Sequence, residues 1–167
     1  KKLHKSRIIN SIYFDNIYLS MFYQSEEGVR PRQKIRLRNY NNKYKYNLEK
    51  KISSDEGRYK VSKSISNQEF NNYLKYGCLS NIYGICYPIV FVNYTRNYYE
   101  LGKVRITYDS NIKYQSYSNK KNIYDDNRRV FEIKCSSISD LSDINNFLGP
   151  KNRFSKYSEA IYKLNLN

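Results

Sequence analysis

The segment RQKIRLR, residues 32–38, places a cation at every second position. Side chains of a β-strand alternate between its two faces, so a strand here would present four positive charges on one face and the apolar side chains on the other. Like charges this close repel one another, and a strongly basic surface attracts anions. The spacing therefore predicts a strand whose basic face meets an anionic ligand. The four cations are Arg32, Lys34, Arg36 and Arg38.

The same alternation recurs in other segments, where Lys and Arg share a face with an occasional carboxylate. An antiparallel sheet with one solvated face would also show this pattern. Two features favour a functional explanation: the strand at Arg32 carries only cations, and a Glu-x-Lys pair lies on the polar face at both Glu49 and Glu132. A barrel lined with these groups would be unstable when empty and would bind a polyanion strongly. Its carboxylates could hold a divalent metal that bridges phosphate oxygens.

Composition limits the functional classes. The 167 residues include 30 Lys and Arg against 15 Asp and Glu, a formal charge of +15, which indicates nucleic acid, phosphate chains or anionic lipid as the partner. The single His4 argues against a histidine-based catalytic triad, but phosphoryl transfer needs positioning and charge neutralisation more than a covalent nucleophile. Three cysteines without a CxxC pair argue against a zinc site or disulfide framework, so a cytoplasmic location is expected.

Hydrophobic periodicity predicts one domain, residues 1–167, of α+β class and mainly β. Predicted strands cover 8–14, 32–40, 44–53, 58–65, 87–99, 104–108 and 129–135. Helices are predicted at 67–78, at 136–149 and at 153–164, with a short helix or irregular link at 17–23. The strands follow one another closely enough for an antiparallel arrangement.

Five motifs in order resemble VTC domains, the polyphosphate polymerase branch of the triphosphate tunnel metalloenzymes, which are related to the CYTH proteins. They are SIYFDN at 11–16, KIRLRNY at 34–40, LEKK at 48–51, FEIK at 131–134 and RFSKY at 153–157. The resemblance spans roughly residues 8–165. It implies a closed antiparallel β-barrel tunnel of about eight strands, with a few flanking helices that include a C-terminal one.

The resemblance also implies an activity: transfer of the γ-phosphate of ATP to a growing polyphosphate chain, assisted by Mn²⁺ or Mg²⁺. Position by position, the implied catalytic residues are Arg36, Arg38, Lys51, Arg96 and Lys156. The implied phosphate-binding set is these five together with Lys60, Tyr94, Arg153 and Ser155, and Glu132 is the implied metal ligand. The alternation alone adds Lys34, Arg105 and Lys134 as wall residues.

One departure concerns the N-terminus. The family has a further strand and helices before the YFD motif, whereas residues 1–7 alone precede the first predicted strand. The chain is therefore expected to lack these elements, which puts barrel closure and full activity in question. The expected partners are ATP and polyphosphate or triphosphate, with a membrane-protein partner that would place the domain at the inner face of a membrane.

Other functions remain open at this stage. A triphosphatase acting on inorganic triphosphate or an RNA 5′ end would use the same fold. A nucleic-acid-binding module is suggested by the charge and the 20 tyrosines, although no RNP-like aromatic motif is present. A tunnel that binds polyphosphate without turnover is the third alternative.

Overall fold

The computed structural model describes residues 1–135 and 152–167, which form nine strands and three helices. The strands are β1 (Arg7–Asp15), β2 (Arg32–Tyr40), β3 (Tyr46–Ser54), β4 (Gly57–Ile65), β5 (Cys78–Ser80), β6 (Gly84–Leu101), β7 (Val104–Ser116), β8 (Ile123–Asp126) and β9 (Val130–Lys134). The helices are α1 (Ser20–Glu27), α2 (Asn67–Tyr76) and α3 (Lys156–Lys163). The helix predicted at 136–149 lies outside the described residues.

All nine strands belong to one antiparallel sheet. Its order is β4-β3-β2-β1-β6-β7-β8, with β5 on β6 and β9 on β7. Register partners in a sheet point to the same face. Arg36 of β2 lies opposite Tyr13 on one side and Glu49 on the other, so these three side chains share a face.

The sheet is strongly curved. Five strand spacings separate β3 from β9, which in a flat sheet would be about 24 Å at about 4.8 Å per spacing. Charges that far apart are screened from one another. However, Lys51 of β3 and Glu132 of β9 each affect the pKa of the other. The face that carries Arg36, Lys51 and Glu132 is therefore the concave face.

The prediction of a closed barrel is wrong for the part of the chain that the structure describes. No ladder joins β4 to β8 or β9 among these residues, and β4 is an exposed edge strand. The charges of the two edges disfavour their pairing. Lys60 on β4 and Lys134 on β9 both belong to the concave face, so bringing the edges together would oppose like charges.

Apolar side chains of the central strands form the core on the convex face, and α2 covers part of it. Ile12, Phe14, Ile35 and Leu37 are buried there, and Phe70 of α2 stacks on Tyr46 at 3.9 Å between ring centroids. A capping box begins α2: Ser66 Oγ accepts from the Glu69 amide, and the Glu69 carboxylate accepts from the Ser66 amide. Gly77 ends it at φ +83°, where a Cβ would lie 2.8 Å from the Cys86 carbonyl oxygen.

Helices α1 and α3 meet at Asp15, the aspartate of the YFD motif. Its carboxylate accepts hydrogen bonds from the amides of Met21 and Phe22 at 3.0 Å each and from Tyr157 Oη at 2.6 Å. Tyr157 also stacks on Tyr13, with 5.3 Å between ring centroids. One buried carboxylate thus fixes the start of α1 and holds α3 on the concave face.

None of the helices in the described ranges has the length and apolar content required of a membrane span.

Candidate active site

A buried cluster on β2 and β3 centres on Glu49. Arg36 donates to Glu49 Oε2 from Nε at 2.7 Å and from Nη2 at 2.6 Å, and Lys60 Nζ donates to Oε1 at 2.7 Å. Arg38 Nη1 lies 3.7 Å from the same carboxylate. Burial alone would raise the pKa of Glu49, but Arg36 and then Arg38 lower it to about 2. Glu49 is therefore ionised and holds three cations in place.

Tyr13 belongs to the same cluster. Its hydroxyl accepts a hydrogen bond from Arg36 Nη1 at 2.9 Å, and its ring lies beneath the guanidinium. Burial would raise the pKa of this phenol, but the charges of Arg36, Arg38 and Lys51 lower it to about 7. Tyr13 can thus carry or release a proton near neutral pH.

A second cluster joins β6, β7, β9 and α3 around Asp109. Arg96 binds this buried carboxylate with two hydrogen bonds of 2.6 and 2.7 Å, and Lys156 Nζ donates to it at 2.6 Å. Arg96 Nη2 is also 3.4 Å from Glu132 Oε2, and Lys134 Nζ is 3.3 Å from Glu132 Oε1. Burial opposes ionisation of both carboxylates, but the neighbouring cations keep the pKa of each below its usual value.

Tyr94 connects the two clusters. Its hydroxyl accepts from Arg38 Nη2 at 3.2 Å, while its ring faces the cations of Arg96 at 5.3 Å and Lys156 at 4.6 Å. These ring contacts are cation–π interactions, which hold the cations without neutralising them. Burial raises the pKa of Tyr94 to about 12, so it remains a neutral phenol.

Lys34 and Lys51 are register partners on β2 and β3, two residues along from Arg36 and Glu49. Lys34 Nζ donates to Ser155 Oγ at 2.8 Å, and neither lysine forms an ion pair with a carboxylate of the described residues. Desolvation lowers the pKa of each lysine to about 8. Repulsion from Arg36 adds to the lowering at Lys51. The side chain of Lys51 still reaches solvent. This pair is therefore poorly neutralised by the protein.

Most residues implied by the resemblance therefore lie on one surface. The structure brings together Arg36, Arg38, Lys51, Lys60, Tyr94, Arg96, Glu132, Ser155 and Lys156, and it adds Lys34 and Lys134 from the alternation. Arg153 forms no hydrogen bond or ion pair with the two clusters among the described residues: it is exposed and donates to the Glu26 carbonyl and Ser25 Oγ. Arg105 shares the concave face by register and points into solvent.

A family comparison identifies the chain. The VTC domain model matches residues 1–165, almost the whole length. The chain belongs to the VTC domain family. No curated protein matches it with significance.

A solved structure supports the fold of this VTC domain. A candidate adenylate cyclase from Bacillus halodurans, known from a crystal structure at 2.12 Å resolution, superposes with a TM-score of 0.57 at 11% sequence identity. The alignment covers 97% of this chain and 76% of the other. That neighbour has the CYTH or triphosphate tunnel fold, so the likeness supports this fold for the VTC domain.

Two groups of the VTC domain site are not among the residues predicted from the sequence. Asp109 is the buried partner of Arg96 and Lys156, and strand alternation puts it on the same face as Arg105 without indicating a role. Tyr13 lies in the motif SIYFDN, but nothing in the sequence shows that its hydroxyl meets an arginine of the next strand. Only the register of β1 with β2 reveals that contact.

The carboxylates of the VTC domain fit a metal site shared with phosphate oxygens better than a site whose ligands all come from the protein. Within residues 1–135 and 152–167 there is no cluster of three His, Cys, Asp or Glu side chains suited to a metal ion. Both oxygens of Glu49 and of Asp109 are occupied by cations. Glu132 also has a cation near each oxygen, but these contacts are longer, at 3.4 and 3.3 Å, and its side chain is 39% exposed. It could therefore share a divalent ion with phosphate oxygens, the usual arrangement for Mg²⁺.

Proposed function

We propose that this VTC domain is a metal-dependent phosphotransferase that extends a polyphosphate chain with the γ-phosphate of ATP. The observation that carries this proposal is the convergence of cations from separate elements on one concave face. The cations are Lys34, Arg36, Arg38, Lys51, Lys60, Arg96, Lys134 and Lys156, against the carboxylates Glu49, Asp109 and Glu132. A tri- or polyphosphate would supply the missing negative charge.

Each cation type suits a different part of this reaction. Arg36 and Arg38 are held by Glu49 and still have N–H groups free of that carboxylate, so they can bind phosphate oxygens in a fixed orientation. Lys34, Lys51 and Lys156 act as point charges beside them. Transfer forms a bond between a terminal polyphosphate oxygen and the γ-phosphorus, and the bond from that phosphorus to the bridging oxygen of ADP breaks.

A divalent ion is part of the proposal. Mn²⁺ or Mg²⁺ held between Glu132 and phosphate oxygens would neutralise charge that develops during transfer. Arg96 and Lys134 would keep the Glu132 carboxylate oriented toward the phosphates.

Hydrolysis of a triphosphate is the second candidate, and Tyr13 is the observation that favours it. Attack by water is assisted by a base with a pKa near the working pH, and the pKa of Tyr13 is lowered to about 7. Attack by phosphate needs no such base. Free phosphate as the product would identify the hydrolase, whereas stained long chains would identify the polymerase.

The deciding experiment is incubation with ATP and Mn²⁺, followed by gel staining for long chains and a measurement of free phosphate. We expect long chains, and we expect Arg38→Ala and Glu132→Ala each to abolish turnover while circular dichroism remains unchanged. Lys121→Ala, at an exposed position, is the matched control and should retain full turnover. Full activity in both site variants would disprove the assignment of the site, and binding of polyphosphate without turnover would make the domain a non-catalytic binder.

The expected location and partner remain part of this proposal. The three cysteines are free thiols, the usual state in a reducing cytoplasm. A membrane protein that receives the growing chain would place the domain at the inner face of a membrane.

A further inference from the structure

The register of β2, β3 and β4 arranges cations in rows across the strands. Lys34, Lys51 and Lys60 are successive register partners, so three ammonium groups lie side by side on the concave face. The next row, toward the start of β2, consists of Arg32, Ser53 and Arg58. Like charges directly opposite in a sheet are destabilising, so the lysine row needs a reason beyond stability. In the second row Ser53 separates the two arginines.

Two further arginines approach the outer row from other segments. Burial lowers the pKa of Arg32, and repulsion from Arg153, Arg30 and Arg58 lowers it further. These four guanidinium groups, which we call the arginine rim, come from the loop before β2, from β2, from β4 and from the segment before α3. Arg30 and Arg32 are close in sequence, but the tertiary fold brings Arg58 and Arg153 to them.

The arginine rim is poorly neutralised. Arg32 donates to the carbonyls of Gly28 and Val29, and carbonyl contacts leave its charge uncompensated. Within the described residues the one ion pair of the rim joins Arg30 to Asp55 at 3.7 Å, and both of these side chains are well exposed to water. An exposed ion pair of this kind contributes little to stability.

The arginine rim is continuous with the proposed active site. Both Arg153 and Arg32 lower the pKa of Lys34, the lysine that contacts Ser155 at the start of α3. Four residues separate Arg32 from Arg36 on one strand, which is about 13 Å at about 3.3 Å per residue. A short phosphate chain held at Arg36 would leave the rim unoccupied, whereas a longer chain could reach it.

We propose that the arginine rim is a second polyanion subsite, which binds the part of a phosphate chain that extends beyond the phosphates at Arg36 and Arg38. The proposal rests on polyphosphate as the ligand of the proposed function. It adds a means by which the domain selects long chains over short ones, because only long chains contact both the active site and the rim.

The test compares binding of triphosphate and of long-chain polyphosphate to the Arg32→Gln/Arg58→Gln variant. Long-chain affinity should fall about tenfold or more, equivalent to about 1.4 kcal/mol, while triphosphate affinity stays within about twofold. The control is Lys120→Gln/Lys121→Gln, which removes the same charge from an exposed loop. It should leave both affinities within about twofold.

A single variant protects the test against a folding defect. Arg58 is exposed and has no side-chain hydrogen bond to another described residue, so Arg58→Gln should fold normally and still weaken long-chain binding selectively. Equal losses for triphosphate and long chains, or the same loss in the control variant, would overturn the subsite. A rim that binds single-stranded DNA as tightly as polyphosphate would overturn the assignment of the ligand.

The binding test and the polymerase assay distinguish a failure of the arginine rim from a failure of the proposed function. A selective loss of long-chain binding in a protein that makes no polyphosphate from ATP would support the rim and reject the polymerase. An active polymerase whose rim variant binds long chains normally would reject the rim alone.

Discussion

Glu49 shows how one carboxylate organises several phosphate-binding candidates. It is 2% exposed, and it contacts Arg36, Arg38 and Lys60 from two neighbouring strands. A buried ion pair is weak evidence for stability, but removing one partner leaves the others charged in a poorly solvated place. The role of Glu49 is therefore to hold the arginines in position before any ligand arrives.

The first prediction is that Glu49→Gln destabilises the unliganded domain by about 3–5 kcal/mol, because Arg36 and Arg38 then stay buried without a countercharge. Urea unfolding measures the change. Asp125→Asn is the matched control, since its pair with Lys113 is exposed and should be worth no more than about 1 kcal/mol. Triphosphate should restore part of the stability lost in Glu49→Gln. A loss no larger than that of the control would refute this role for Glu49.

At the scale of elements, α3 is a functional part of the concave face. Ser155 caps the helix by accepting from the Ser158 amide and also accepts from Lys34, while Lys156 reaches Asp109. The first turn of α3 thus contributes directly to the cationic surface. Its position depends on the hydrogen bond from Tyr157 to the buried Asp15.

The second prediction concerns that hydrogen bond. Tyr157→Phe should lower the free energy of unfolding by about 1–3 kcal/mol. The reason is that the buried carboxylate of Asp15 loses the Tyr157 hydroxyl, its only side-chain hydrogen-bond donor among the described residues. Tyr162→Phe on the same helix is the control, since its hydroxyl lies at the surface 3.4 Å from Glu26. It should change stability by no more than about 0.5 kcal/mol. Equal effects of the two variants in urea unfolding would contradict the anchoring role of Asp15.

Strand alternation was sufficient to predict β2, β3 and the faces of their side chains, because one face is strongly basic. It was insufficient for β7, predicted at 104–108 and observed as Val104–Ser116, because polar residues such as Asn111 and Lys113 interrupt the apolar pattern. β5 and β8 were not predicted, because strands of 3 and 4 residues are too short to show an alternating pattern of apolar and polar side chains. Which strand pairs with which, and hence the meeting of Arg96 with Asp109, depends on tertiary pairing that no local pattern encodes.

At the scale of the molecule, burial of Lys34 and Lys51, with repulsion from neighbouring cations, should make the domain more stable as the pH rises above neutrality. The pKa of Lys34 and of Lys51 is about 8 in the folded chain and near 10.5 in the unfolded chain. Tyr13 falls from 10.0 to about 7 on folding. In each case the unfolded state binds more protons between the two values, so the free energy of unfolding rises with pH there.

The last prediction is therefore that the unliganded domain becomes more stable between about pH 7 and pH 9, as followed by thermal or urea unfolding. Above pH 9 the buried thiol of Cys86, whose pKa rises from 9.0 to about 12 on folding, opposes this trend because the folded state then binds the extra proton. Triphosphate should reduce the rise in stability, since bound phosphate keeps the lysines protonated.

Lys34→Gln/Lys51→Gln should also reduce the rise in stability, whereas Lys120→Gln/Lys121→Gln should leave it intact. If stability stayed flat or fell across this window in the unaltered chain, Lys34 and Lys51 would be solvated instead of buried beside other cations, and the concave face could not be the poorly neutralised surface on which a phosphate chain is bound.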